Sequence, residues 1–247
     1  SGQKNIMKRA EKIILVTGSG KRIGKELVLG LSRLSQKYKF ILHYNESGKE
    51  VSTLINRLKK RGINAKPIQF NFMETKKIKD FTLKAISLFG RVDVLINNAS
   101  IFKPKKLHKI TEEDFDEMMN INLKSPFLLS KYISIEMKKR KYGKIINLSD
   151  SIGVNKTWKN YSHYCTSKGG IETMTKALSV ELAPNVQVNC IAPGKILKPV
   201  NSSNSLYKKS DILDSGIKSI VNTAHLLIES DFINGESIKV DNGESIT

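Results

Sequence analysis

The apolar run Lys12-Ile-Ile-Leu-Val-Thr17 breaks on glycines in Thr17-Gly-Ser-Gly-Lys-Arg-Ile-Gly24, then resumes with helical periodicity through Ile23, Leu27, Leu31 and Leu34. No other stretch restricts the fold as much. A short apolar run ending in glycines suits a buried parallel strand. The glycines allow a tight turn and let the backbone approach a pyrophosphate, which the following helix N-terminus favours electrostatically. The competing reading is an ordinary glycine turn. The strand–loop–helix context favours a dinucleotide.

The same alternation continues along the chain. Strands are expected at 12–17, 40–44, 65–70, 92–96, 144–148, 186–191 and 237–240. Helices are expected at 22–36, 48–61, 74–89, 111–140, 162–182 and 214–230. Thr111-Glu-Glu-Asp114 is a capping sequence for one long helix over 111–140. Strands alternating with helices predict an α/β fold, a Rossmann-like doubly wound parallel sheet with helices on both faces. With 247 residues, 39% hydrophobic, one core and a single domain over 1–247 suffice. Residues 1–10 read as a flexible N-terminus. The polar stretch Lys198–Ser210 reads as a loop, with a lid as its functional reading.

Composition narrows the partners. No stretch approaches the ~18 apolar residues of a membrane span, and no signal-peptide pattern appears. Cys165 and Cys190 give neither a disulfide framework nor a metal spacing, so a cytoplasmic setting is expected. The 42 basic and 23 acidic residues leave a net charge of +19. Nucleic-acid binding would explain it, but no binding motif accompanies the lysines; a solvated basic surface is the simpler reading. Lys103, Lys105 and Lys106 could steer an anionic ligand toward the preceding strand end.

The second strand bears on the cofactor. An acid at its end would hold the ribose hydroxyls of NAD. Here the strand ends His43-Tyr44-Asn45, with Glu46 beyond it. Lys21, Arg22 and Ser47 supply two cations and a hydroxyl suited to a 2′-phosphate, so NADPH is expected. Asn71 is a candidate for the adenine or a turn residue, and His43 a lining residue of this region.

Tyr164 and Lys168 stand at i and i+4 and share a helix face. An ammonium beside a phenol stabilises phenolate, so the Tyr164 pKa is expected to fall. Such a phenol can donate a proton near neutral pH. His163, His108 and His225 show no partner spacing, so no metal site is expected. Trp158 is read as a pocket wall or a loop anchor.

In order, the Thr17–Gly24 loop, Asn97-Asn98-Ala99, Asn122 in Asn-Ile-Asn-Leu, Ser149–Ser151, Tyr164 with Lys168, Pro193-Gly194 and Val240-Asp241-Asn242-Gly243 resemble the short-chain dehydrogenase/reductase family over nearly the whole chain. Asn242 stands where a glycine is usual. The resemblance implies a homotetramer and a small-molecule substrate. It also implies cofactor contacts from Gly18, Ile23, Gly24, Asn98, Ala99, Ser100, Pro193 and Gly194, beside Tyr164 and Lys168, with Asn122 relaying protons through water to Lys168. Gly-Lys-Arg-Ile-Gly, Leu-His-Tyr, Asn-Ala-Ser-Ile-Phe102 and Asn-Leu-Ser-Asp150 resemble the pteridine and dihydromonapterin reductases. That group implies Phe102 stacking on a pterin and Asp150 replacing the catalytic serine. Asp150 lies fourteen residues before Tyr164 and Ser151 thirteen, the usual spacing. Asp150 is preferred, with one residue inserted in the following loop; Ser151 stays open. The segment after Pro193-Gly194 is also shorter than usual. Three functions fit these residues. They are an NADPH-dependent pterin reductase, a carbonyl reductase acting on a substrate such as a 3-oxoacyl thioester, and a non-catalytic nucleotide-binding regulator.

Overall fold

The computed structural model describes residues 11–196 and 212–247. The expectations for residues 1–10 and for the 198–210 loop lie outside the described residues.

Among the described residues, seven strands form one parallel sheet in the order β3-β2-β1-β4-β5-β6-β7. They are β1 (Lys12–Val16), β2 (Tyr38–Tyr44), β3 (Ala65–Gln69), β4 (Val94–Asn97), β5 (Gly143–Leu148), β6 (Val186–Pro193) and β7 (Ser237–Val240). The helices are α1 (Arg22–Leu34), α2 (Gly48–Lys59), α3 (Ile78–Ser87), α4 (Glu112–Met119), α5 (Ser125–Lys139), α6 (Ser151–Asn155), α7 (Ser162–Leu182) and α8 (Ile212–Glu229). No described helix is long and apolar enough to cross a membrane.

Side chains alternate faces along a strand, and the two faces make two cores. Ile14 and Val16 point to the layer holding Leu27, Leu31, Val51, Leu54, Ile220 and Ala224 of α1, α2 and α8. Ile13 and Leu15 point to the layer holding Phe81, Leu129, Ile133, Ile171 and Met174 of α3, α5 and α7. Burial on both faces explains why β1 and β4 read as continuous apolar runs. Strand order reverses between β1 and β4, the crevice where open α/β sheets bind ligands.

The expected single helix over 111–140 is instead α4 and α5 joined by a π-helical turn, Asn120–Lys124. The capping box is formed: Thr111 Oγ1 accepts from Asp114 N at 3.2 Å, and Asp114 accepts from Thr111 N at 2.9 Å. The extra backbone residue of the π turn redirects Asn122 toward α7. The short α6 was not foreseen; five residues give too little periodicity to read.

Candidate active site

The first β–α loop is stitched to the end of β4. Thr17 Oγ1 accepts from the amides of Asn98 and Ala99, both at 2.9 Å. Asn98 Nδ2 donates to the carbonyls of Thr17 at 2.8 Å and Gly18 at 3.1 Å. Gly18 sits at φ +64°, where a Cβ would also lie 2.9 Å from the Ala99 backbone. Side-chain capping of α1 is absent among the described residues, so its first amides face the loop, where an anion can take them. This cradle fits a dinucleotide pyrophosphate.

His43 does not line the cofactor region as expected. It is buried against Phe72 and Phe81. Nε2 donates to the Phe70 carbonyl at 3.0 Å, which leaves Nδ1 to accept from Gly18 N at 3.1 Å. Desolvation lowers its pKa to about 4, against the opposing pull of the Phe70 bond. The ring is therefore a neutral, single-tautomer anchor for the loop.

The other residues proposed around the second strand divide. Arg22, Lys21 and Ile23 line a cavity of about 560 Å³ together with Gly18, Gly24, Asn98, Ala99, Ser100, Pro193 and Gly194. Lys21 pairs with Glu50 at 2.9 Å on the surface, and Arg22, at φ 52° where α1 begins, is the 2′-phosphate candidate nearer the helix start. Tyr44, Asn45, Ser47 and Asn71 are not part of that wall. Ser47 packs on Gly20, and Tyr44 on Gly48. The Asn45 carbonyl accepts from Gln69 at 3.0 Å. Asn71 caps its own turn, accepting from Met73 N at 2.9 Å, so the turn reading prevails.

At the other end of the cavity three donors converge on Asp150. Tyr164 Oη donates to Oδ2 at 2.9 Å and Trp158 Nε1 donates to the same oxygen at 3.1 Å. Gly153 N donates to Oδ1 at 2.7 Å, making Asp150 the N-cap of α6. Ser151 is fully buried and donates to the Pro193 carbonyl at 3.2 Å. Asp150, rather than Ser151, therefore faces the phenol. In the loop that follows α6, Thr157 and Asn160 adopt φ of 67° and 68°.

The expected acidification of Tyr164 by Lys168 is reversed. Lys168 Nζ donates to the Leu148 carbonyl at 2.8 Å and lies 5.7 Å from the centre of the phenol ring. Burial, then the Asp150 charge and hydrogen bond, push the Tyr164 pKa well above its ordinary value. Burial also lowers Lys168 to about 8, with Asp150 pulling the other way. The phenol thus keeps its proton at neutral pH, the state a proton donor needs.

The Asn122 side chain is buried and bonded at both ends. Its Oδ1 accepts from Ile101 N at 2.9 Å; its Nδ2 donates to Ile101 O at 3.0 Å and Ser167 Oγ at 3.2 Å. The amide ties the loop after β4 to α7. Phe102 belongs to the cavity wall rather than the core. Its ring stacks on Tyr161 at 4.0 Å and 14°, and meets Tyr164 edge-on at 4.6 Å. Lys103 and Lys105 pair with Glu117 and Asp114, which weakens the steering expected of them. Lys195, missed in the sequence, lines the cavity and stands 5.5 Å from the Trp158 ring centre. No group of metal-ligand candidates occurs among the described residues.

Comparison with known proteins agrees with this architecture. The chain is 29% identical to the 3-oxoacyl-[acyl-carrier-protein] reductase FabG of Staphylococcus epidermidis, covering 94% of this chain and 98% of that protein. It is 31% identical to the FabG of Thermotoga maritima over 78% of each. A 2-dehydro-3-deoxy-D-gluconate 5-dehydrogenase from Formosa agariphila is 29% identical, over 94% of this chain and 92% of that one. A blue fluorescent protein from a metagenomic library, solved in complex with NADPH, superposes with a TM-score of 0.81 at 25% identity, covering 95% and 98%. The short chain dehydrogenase family profile matches residues 12–208. With the glycine cradle, the buried tyrosine–lysine pair and this match spanning most of its length, the chain belongs to the short-chain dehydrogenase family of oxidoreductases.

Proposed function

We propose that this chain is an NADPH-dependent reductase of a planar nitrogen heterocycle of the dihydropterin type, acting on a C=N bond. The observation that carries the substrate class is the Asp150 carboxylate beside the Tyr164 hydroxyl under an aromatic wall. A carboxylate offers acceptors and negative charge, which suits the N–H edge of an amino-substituted ring. Phe102 offers a flat apolar surface for that ring.

When bound, NADPH supplies the hydride, which goes to the electrophilic carbon. Tyr164 gives its proton to the neighbouring nitrogen, and solvent returns one to the phenol. Asp150 accepts from a substrate N–H and orients the ring. Lys168, buried at 4% exposure, provides positive charge beneath the phenol and a donor for a ribose hydroxyl. Arg22 and the absence of an acid directly at the end of β2 favour the phosphorylated coenzyme, as does the NADPH complex of the structural relative.

A second reading is a 3-oxoacyl-thioester reductase, favoured by the names of the curated relatives. It would place negative charge growing on a carbonyl oxygen next to Asp150, an unfavourable pairing. The serine such a reading prefers, Ser151, is turned to Pro193.

The test is NADPH oxidation with dihydrobiopterin, dihydromonapterin, dihydrofolate and acetoacetyl thioesters in parallel. Turnover of the pterins is expected, falling by about 10²-fold or more in Tyr164→Phe with coenzyme binding kept. Turnover of thioesters alone would overturn the heterocycle assignment.

A further inference from the structure

We infer that Trp158 is a positioning residue whose indole N–H pins the Asp150 carboxylate against Tyr164, so that the phenolic proton is directed to the substrate instead of being drawn off by a mobile carboxylate. The inference rests on Asp150 and Tyr164 meeting the substrate. Trp158 is the sole tryptophan in the chain, carried by the loop between α6 and α7.

Two features point this way. First, that loop is built to present the indole. Thr157 and Asn160 take left-handed φ on either side of it. Trp158 N donates to Cys165 Sγ at 3.5 Å, and Tyr161 N to Trp158 O at 3.1 Å. Lys105 N donates to Asn160 O at 2.7 Å. Positive φ at two non-glycine residues is a strained choice, kept here by bonds on both flanks. Second, the three donors to Asp150 come from separate elements: Gly153 from α6, Trp158 from the loop and Tyr164 from α7. When Tyr164 swings its hydroxyl to a substrate, the indole remains on Oδ2. A carboxylate oxygen still holding a donor competes less for the departing proton than a bare one.

Trp158→Phe keeps the ring and removes the N–H. The measurement is a cycle with Asp150→Asn, using dihydrobiopterin as the substrate, with coenzyme affinity read from NADPH fluorescence. Trp158→Phe alone is expected to lower kcat about tenfold, the scale of one charge-assisted hydrogen bond. Its NADPH Kd should stay within about twofold, and in the Asp150→Asn background the same change should cost less than about twofold. An unchanged kcat would overturn the inference. So would a tenfold loss that persists beside Asp150→Asn, or a coenzyme Kd that rises in step. Full turnover in Asp150→Asn would remove both this inference and the heterocycle reading, whereas failure of Trp158→Phe alone leaves that reading intact. A readout free of turnover uses the indole itself: Asp150→Asn should change Trp158 emission and Ser151→Ala should not. Identical emission in the wild type and Asp150→Asn would equally overturn the inference.

Discussion

Replacing Lys168 by methionine should make the protein inactive and, near neutral pH, more stable. The ammonium is buried at 4% exposure, and burial lowers its pKa from 10.5 to about 8. At about 1.4 kcal/mol per pH unit, holding that charge in the fold costs about 3 kcal/mol. Methionine fills nearly the same volume without the charge. It also leaves the Leu148 carbonyl without the donor now 2.8 Å away, a loss of about 1 kcal/mol. The net gain is about 2 kcal/mol, or about 4 °C in Tm for a chain of this size. The sign depends on pH. Below pH 8 lysine is charged in both folded and unfolded states and the penalty is complete. As pH rises from about 8 to 10.5 the folded lysine has released its proton while the unfolded one still holds it, so the wild type gains stability across that window. Thermal melting of the coenzyme-free proteins at pH 7 and pH 10 checks this. The methionine variant should lead at pH 7 and lose most of its lead at pH 10. A variant that melts below the wild type at pH 7, or a lead of equal size at both values, would refute the reasoning.

Two further outcomes follow from the loop. Gly18→Ala forces a side chain into φ +64° and against the Ala99 backbone; it should destabilise by about 1–3 kcal/mol and weaken coenzyme binding at least tenfold, read by melting and NADPH fluorescence titration. Arg22→Ala should raise the NADPH Kd about tenfold and the NADH Kd less than twofold, the scale of one charged contact to phosphate, measured by parallel titration; equal losses would remove Arg22 from the 2′-phosphate.

The sheet was legible because its inner strands, β1, β4, β5 and β6, are buried on both faces. The break at Asn120–Lys124 was not. A π turn adds one residue, and the periodicity on either side of Asn122 stays helical, so 111–140 reads as continuous. The contest between Asp150 and Ser151 had a similar origin. Counting residues cannot say which of two neighbouring side chains turns to the phenol, whereas the bonds do: Asp150 takes Gly153 N and the Tyr164 hydroxyl, and Ser151 goes to Pro193. The i, i+4 spacing of Tyr164 and Lys168 put them on one face but carried no information about depth. Desolvation then moved both pKa values opposite to what their proximity suggested. His43 looked like a lining residue because its strand ends at the crevice; the aromatic shell that swallows it comes from Phe72 and Phe81, distant in sequence.

That enclosed imidazole leaves the glycine turn open to acid. Unfolded, it takes a proton near 6.5; inside the fold it resists until about 4. Stability therefore drains away as the medium is acidified between those values, by up to about 3 kcal/mol. Beyond the lower bound a second proton on the ring would face the Gly18 amide it now accepts from, donor against donor. The first structure to loosen in a souring solution should be the turn that cradles the coenzyme, well before the sheet beneath it gives way.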